Sequence, residues 1–222
     1  MSRISTGTRQ GPGDKSIAAP TPYRHIVHGE NSMRKINFLL MFCLMTTVMP
    51  LGAKQFAGVD IPDTVTLAED GPSLVLNGAG IRKKFFMDIY VGALYLPAKT
   101  GDAAAILADT GPASVLMHFL YKEVSKDKIT EGWNDGLAAN HTAEEMVALQ
   151  PQLDAFNALF ETAHEGDVIR IDHLPGSGTR VLINGAASGT VTGDGFYHAL
   201  LRIWLGTHPV SKALKKGMLG RH

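Results

Sequence analysis

The chain has 222 residues, 45% of them apolar and 19% charged, a balance that suits one folded domain with a real core and excludes a disordered chain. With 21 basic and 21 acidic residues the formal net charge is zero, which argues against a nucleic-acid binder built on a basic stripe. The one cysteine, Cys43, excludes a disulfide framework.

Residues 1–32 contain Gly, Pro and Ser and show no apolar period. They read as an unstructured leader, or as sequence upstream of a true start at Met33. Met33-Arg34-Lys35 then opens a basic segment, Ile36 to Gly52 is almost wholly apolar, and Leu51-Gly52-Ala53 closes it with small residues. That order is a signal peptide over residues 33–53, with an apolar run short of the ~20 residues a membrane span needs. Pro50 and the basic start disfavour a buried helix. Cleavage is expected after Ala53, with Ala57 as the second choice. The product is a periplasmic or secreted domain at 54–222 with no stable membrane anchor. Cys43 lies in the apolar run and follows Phe42, not the small residue that lipidation requires, so the mature chain has no thiol. It keeps 15 basic and 19 acidic residues, a net charge of −4, which makes nucleic acids and anionic membranes poor partners.

Lys54 to Pro72 reads as an extended lead-in with turns at Pro62-Asp63 and Asp70-Gly71-Pro72. Leu74 to Leu96 contains two strand-like runs, ended by Pro97. Gly101 to Asp109 is a short Ala-rich helix. Ser114 to Tyr121 is a strand apolar on both faces, and so covered on both. Its His118 reads as a neutral core histidine bonded to backbone. Ser125 caps a helix whose buried stripe is Ile129, Trp133 and Leu137, and Asn140 ends it. Thr142 to Glu161 is a second helix, opened by a Thr142/Glu145 capping box and kinked or split at Pro151. Val168 to Val191 is strand-rich, with hairpin loops at Pro175–Gly178 and Asn184-Gly185. Gly193-Asp194-Gly195 caps a helix from Phe196 to Leu205, closed by Gly206, and Ser211 to Leu219 is a last short helix. Strands, helices, strands, helices is the order of an α+β domain with an antiparallel sheet covered by helices on one face.

Several motifs fail. Gly78-Ala79-Gly80 is no dinucleotide fingerprint, because Lys83 replaces the third glycine and no helix follows. Gly176-Ser177-Gly178-Thr179-Arg180 lacks the lysine and helix of a phosphate loop. The mature histidines never pair as H-x-x-x-H, and no Ser sits in a G-x-S-x-G elbow, so neither a metal nor a cofactor is expected. Asp154, Glu161 and Glu165 read as solvated, as do Lys83 and Lys84. What remains is Arg82, whose planar fork suits a carboxylate, in an apolar setting with Tyr90 eight residues on. An unbroken strand would put both side chains on one face, but strands usually stop after about 5–6 residues, so a turn or bulge is expected between them.

Three segments carry a resemblance: GAGIR followed by IYVGALYL, the hairpin PGSGTRVLING, and LRIWLGTHPVSKALK near the end. From about Gly71 to Leu219 the chain resembles the chalcone isomerase-like superfamily, in which a G-x-G-V-R turn precedes a strand ending in G-x-Y-L. The resemblance implies an open-faced β-sandwich, a large antiparallel sheet with a helical layer and a cleft between them. In the plant isomerases the arginine of that motif stabilises a developing anion, helped by threonine and tyrosine hydroxyls. Here Arg82 matches the arginine, Tyr90 falls at one threonine and Ile203 at the other. The family's further tyrosine has no clear counterpart among Ser125 to Ile129. Loss of hydroxyl donors weakens the isomerase reading. Arginine followed by tyrosine resembles the non-catalytic branch that binds fatty acids, which implies a small amphipathic carboxylate held by Arg82 and Tyr90 with its tail in an apolar cleft. Three alternatives stay open: an isomerase on a phenolic or enone substrate with Arg82 as electrostatic catalyst, a structural or partner-binding module with a filled cleft, and an Arg82 that only pairs with a carboxylate of its own chain such as Asp88.

Overall fold

The computed structural model describes residues 53–68 and 71–221; the expected leader and the signal peptide up to Gly52 lie outside the described residues, as does Asp70 of the predicted turn. The chain begins with β1 (Ala53–Phe56) and β2 (Val59–Pro62), an antiparallel hairpin of their own. A seven-stranded antiparallel sheet follows. Its strands are β3 (Thr64–Thr66), β4 (Ser73–Lys84), β5 (Met87–Leu96), β6 (Ala113–Phe119), β9 (Val168–Leu174), β10 (Gly178–Ile183) and β11 (Ala186–Val191). They lie in the order β11-β10-β9-β6-β5-β4-β3. Between β5 and β6 sits α1 (Ala103–Ala108), and between β6 and β9 come β7 (Glu123–Val124), α2 (Lys126–Ala138), α3 (Ala143–Asn157) and β8 (Ala163–His164). α4 (Asp194–Leu205) and α5 (Lys212–Met218) close the chain. This is the α+β architecture the sequence implies.

Local chemistry sets the helix starts. Asp102 accepts from the backbone N–H groups of Ala104 and Ala105, and Ser125 accepts from that of Lys128. Thr142 and Glu145 form the complete capping box. Pro151 does not split α3. It stands on the exposed side, where the carbonyl it leaves without an N–H partner faces water. The helix nevertheless stops at Asn157, short of the expected Glu161, and Phe156 and Phe160 are buried against Trp133. Asn184 and Gly185 both have positive φ, +52° and +81°, as a two-residue hairpin loop between β10 and β11 requires.

Alternation along the strands divides the sheet into two faces. Tyr90, Leu94, Val115, Met117, Phe119, Ile169 and Ile171 face the helical layer. α4 lies in the middle of that layer and is buried nearly all round, from Phe196 to Leu205. The opposite face carries Leu76, Ala79, Val91, Ala93, Tyr95 and Leu116, and the β1–β2 hairpin covers part of it with Ile61, Phe56 and Val59. So β6 is covered on both sides, as its sequence demands. The same face holds the fully buried Asp172, bonded by Ser114 at 2.8 Å and by Arg180 at 2.7 Å.

The GAG segment is strand, not turn. β4 runs straight through Gly78, Ala79 and Gly80, paired with Leu94, Ala93 and Gly92 of β5. The expected turn is absent because the glycines serve a close approach instead. A Cβ on Gly78 would stand 2.2 Å from the Gly217 carbonyl oxygen of α5, and one on Gly217 would stand 2.5 Å from the Ala79 oxygen. α5 therefore lies directly on the β4 backbone. Asn77, at the adjacent β-bulge, locks the contact: its amide donates to the Met218 carbonyl at 2.8 Å and its oxygen accepts from the Thr100 N–H at 2.8 Å.

A methyl at this contact must push two backbones apart. Gly78→Ala is expected to lower stability by about 1–3 kcal/mol, read as a lower urea midpoint. Gly132→Ala, in the interior of α2 where an added methyl meets nothing within 4 Å, serves as the control and is expected to raise stability by up to about 1 kcal/mol.

Candidate functional site

Arg82 and Tyr90 come together by register. β4 and β5 form a hairpin whose two-residue loop is Phe85-Phe86, and Arg82 is directly opposite Tyr90 across it. Opposed residues of an antiparallel pair share a face. The even spacing in sequence thus leads to the right outcome by a different route, through a turn. A β-bulge also intervenes: the pairing slips between Arg82 and Lys83, leaving Ile89 unpaired in the ladder. The Ile89 carbonyl instead accepts the N–H groups of Leu120 and Tyr121, at 2.9 and 3.2 Å. The bulge joins the hairpin to the segment after β6.

Both side chains face a cavity of about 420 Å³ between the sheet and the helices. Its walls are Met117, Phe119, Ile129, Trp133, Ile203 and Val210. Its mouth carries Lys84, Phe85, Met87, Tyr121, Glu123 and Lys128. The cleft is open, which disposes of the filled-cleft alternative. Ile203 lies in the apolar wall and gives no hydroxyl there. Two aromatic groups shape the inner end: Trp133 meets Trp204 edge-on at 5.8 Å between centroids, and Tyr90 leans on Phe119 at 5.8 Å.

The polar groups of the inner wall are donors. Tyr90 is 7% exposed, and its oxygen accepts a hydrogen bond from the Trp204 indole N–H at 3.1 Å. Among the described residues nothing accepts the Tyr90 hydroxyl proton, so the phenol has a donor to spare. Burial pushes its pKa up to about 12, against the opposing pull of the Trp204 bond and the Arg82 charge. It is a neutral donor at any ordinary pH. Arg82 is half-buried and donates to the Lys83 carbonyl, and among the described residues it forms no ion pair. Asp88, the internal partner considered for it, pairs with Lys83 at 2.8 Å. An unpaired guanidinium beside a spare phenolic donor, on an apolar cavity, can take a carboxylate in the ground state.

Other sequence assignments sort out clearly. His118 is paired with Val91 on the opposite face of the sheet, away from the cavity. Burial pushes its imidazole below the usual histidine range, which keeps it neutral, but among the described residues it has no backbone hydrogen bond. Tyr121 escaped the sequence reading. A counterpart for the family's tyrosine was sought among Ser125 to Ile129, whereas Tyr121 follows β6 by two residues and stands at the cavity mouth, 38% exposed. Its signal was available: a tyrosine just past a strand whose Met117 and Phe119 point the same way.

Fold and cavity together define an α+β domain in which one sheet face and a helical layer enclose an apolar cavity with donors on its inner wall. The chain matches the chalcone isomerase-like family over residues 53–220 and belongs to it. Among solved structures it is similar to a fatty-acid binding protein of Arabidopsis thaliana, with a TM-score of 0.56 at 15% identity over 76% of this chain and 95% of that one. No curated protein matches the chain.

The buried phenol ties the site to alkaline stability. Tyr90 ionises near 10 when unfolded and near 12 when folded, so its contribution is complete below pH 10 and is lost as pH rises through 12. Tyr95 and Tyr197, also pushed up by burial, add to the same fall. Urea unfolding from pH 9 upward is expected to show stability dropping, and Tyr90→Phe to remove a part of that slope of order 2 kcal/mol.

Proposed function

We propose that this protein is a non-catalytic carrier of a fatty acid or similar amphipathic carboxylate. The headgroup sits between Arg82 and Tyr90, and the alkyl tail fills the cavity behind Met117, Ile203 and Trp133. The observation that carries this reading is the half-buried Arg82, on an apolar cavity and with no carboxylate partner among the described residues. Removing such a charge from water without a partner is costly, and an incoming anion offsets that cost. The fatty-acid binding title of the structurally similar plant protein supports the ligand class.

The test is binding by delipidated protein. A long-chain acid is expected to bind, and Arg82→Gln to weaken it about tenfold or more, the worth of a charge-assisted hydrogen bond. Tyr90→Phe should cost less, about threefold to tenfold. The methyl ester of the same acid should bind wild type and Arg82→Gln alike. Equal affinity of wild type and Arg82→Gln for the free acid would sink the carrier reading.

A second reading draws on Tyr121. With Arg82, Tyr90 and the Ser125 hydroxyl it adds a further polar group to the cavity, as an isomerase of a phenolic enone would use. Turnover of chalcones separates the two, since binding without product leaves the carrier.

Export belongs to the same proposal: the domain acts in the periplasm or outside the cell after loss of residues 33–53. Strand β1 supports Ala53 over Ala57 as the cleavage site. Its Lys54, Gln55 and Phe56 pair with Ile61, Asp60 and Val59, and Phe56 packs on the core. Cleavage after Ala57 would remove that strand. N-terminal sequencing of the exported protein is expected to begin at Lys54.

A further inference from the structure

The β4–β5 hairpin ends in two aromatic side chains that touch little of the protein. Phe86 is 99% exposed and Phe85 80% exposed, with Met87 beside them at 37%. Scattered apolar residues on a surface are ordinary, but adjacent phenylalanines at a protruding tip are not. The backbone makes the choice more costly. Phe85 has φ +56°, a left-handed conformation that two-residue loops usually give to Gly or Asn and that a bulky residue adopts with strain. The tip thus holds a strained aromatic where a small polar residue would fold better. Strain of this kind concentrates where a loop has another task.

Charge and position indicate what the tip meets. Lys83 and Lys84 immediately precede the two phenylalanines, and Lys128 stands across the cavity mouth. Asp88 pairs with Lys83 and Glu131 with Lys128, while Glu123 faces His164. Among the described residues Lys84 and Arg82 have no ion pair. Aromatic side chains flanked by unpaired cations match a bilayer interface, where rings enter below the headgroups and ammonium groups meet phosphates. No helix of the described residues is long and apolar enough to cross a membrane. Phe85 and Met87 also line the mouth, so the surface that would touch lipid is continuous with the cavity.

We infer that the Lys83–Met87 tip docks reversibly on an anionic phospholipid bilayer and turns the cavity mouth toward the lipid. This deepens the carrier reading by naming where the acid is collected or delivered, and it rests on that reading only for its purpose. The mature chain's net charge of −4 makes an anionic membrane a poor partner for the domain as a whole, but charges beyond a Debye length are screened, and the tip's own unpaired charge is positive.

Flotation with vesicles of phosphatidylcholine and phosphatidylglycerol tests it. Mature wild-type protein is expected to float with them, and less so in high salt. Phe86→Ser, outside the cavity wall, should reduce the floating fraction about tenfold while leaving uptake of fatty acid from solution unchanged. Phe85→Asn should raise the melting temperature and still weaken flotation, which no purely structural role for Phe85 predicts. Arg82→Gln should still float, losing at most the part of the floating fraction that its one charge supplies; if it floats but takes up less acid than wild type, docking and carriage have been separated. Wild type that stays with the unbound fraction, or Phe86→Ser that floats equally, overturns the inference. So does a wild-type dimer that Phe86→Ser converts to monomer, since a second copy would then cover the tip.

Discussion

The site depends on a guanidinium that, among the described residues, has a backbone carbonyl but no carboxylate for a partner. A half-buried arginine normally acquires a carboxylate, because desolvating the charge alone costs free energy. Here Asp88, the nearest candidate in sequence, pairs with Lys83. The hairpin register accounts for this: counted from the Phe85-Phe86 loop, Asp88 is opposite Lys83, and the bulge then brings Tyr90, in place of Ile89, opposite Arg82. One extra residue in β5 therefore decides that the arginine faces a phenol and not an isoleucine.

The hollow exists because other elements hold the sheet and helices at fixed separations. α5 is drawn onto β4 by glycines on both sides, and Asn77 bolts its C-terminal end to the strand. Asn140 does the same for the α4–α5 connection, bonding the Gly136 and His208 carbonyls and accepting the His208 N–H. Trp204 reaches from α4 to the Tyr90 oxygen at 3.1 Å, so the central helix orients the phenol directly. Near α5 the layers touch; between β5, β6, α2 and α4 they stand apart and leave about 420 Å³.

That geometry distributes the polar groups of the cavity unevenly. Apolar side chains surround Arg82 and Tyr90 on the inner wall, Ile203 among them, while the added hydroxyl of Tyr121 stands at the mouth. Electrostatic catalysis needs donors at the place where charge develops. Donors grouped at one end of an apolar cavity suit a ligand that is already charged there and greasy elsewhere.

Much of this was legible without coordinates. Alternation and turn residues located β4 through β6 and the β9–β11 meander; capping chemistry located α2 and α3; the arginine and the tyrosine stood out against their apolar neighbours. Family-specific segments at both ends of the domain led to the right fold. Local signals end where nonlocal contacts begin, however. GAG read as a turn through the resemblance to the family's G-x-G-V-R motif, whereas the helix that comes to lie on it is far along the chain, at Gly217. Tyr121 went unnoticed, and Asp88 looked like a partner for Arg82, for the same reason. Which side chains share a cavity is set by register across strands and by the spacing of layers, and one bulge changes both. Residue chemistry and patterning alone determined an α+β domain with a candidate anion-binding arginine, and the resemblance of three of the chain's segments determined the chalcone isomerase-like fold. Only the packed structure decided that the arginine is left without an acid and has an open apolar space in front of it.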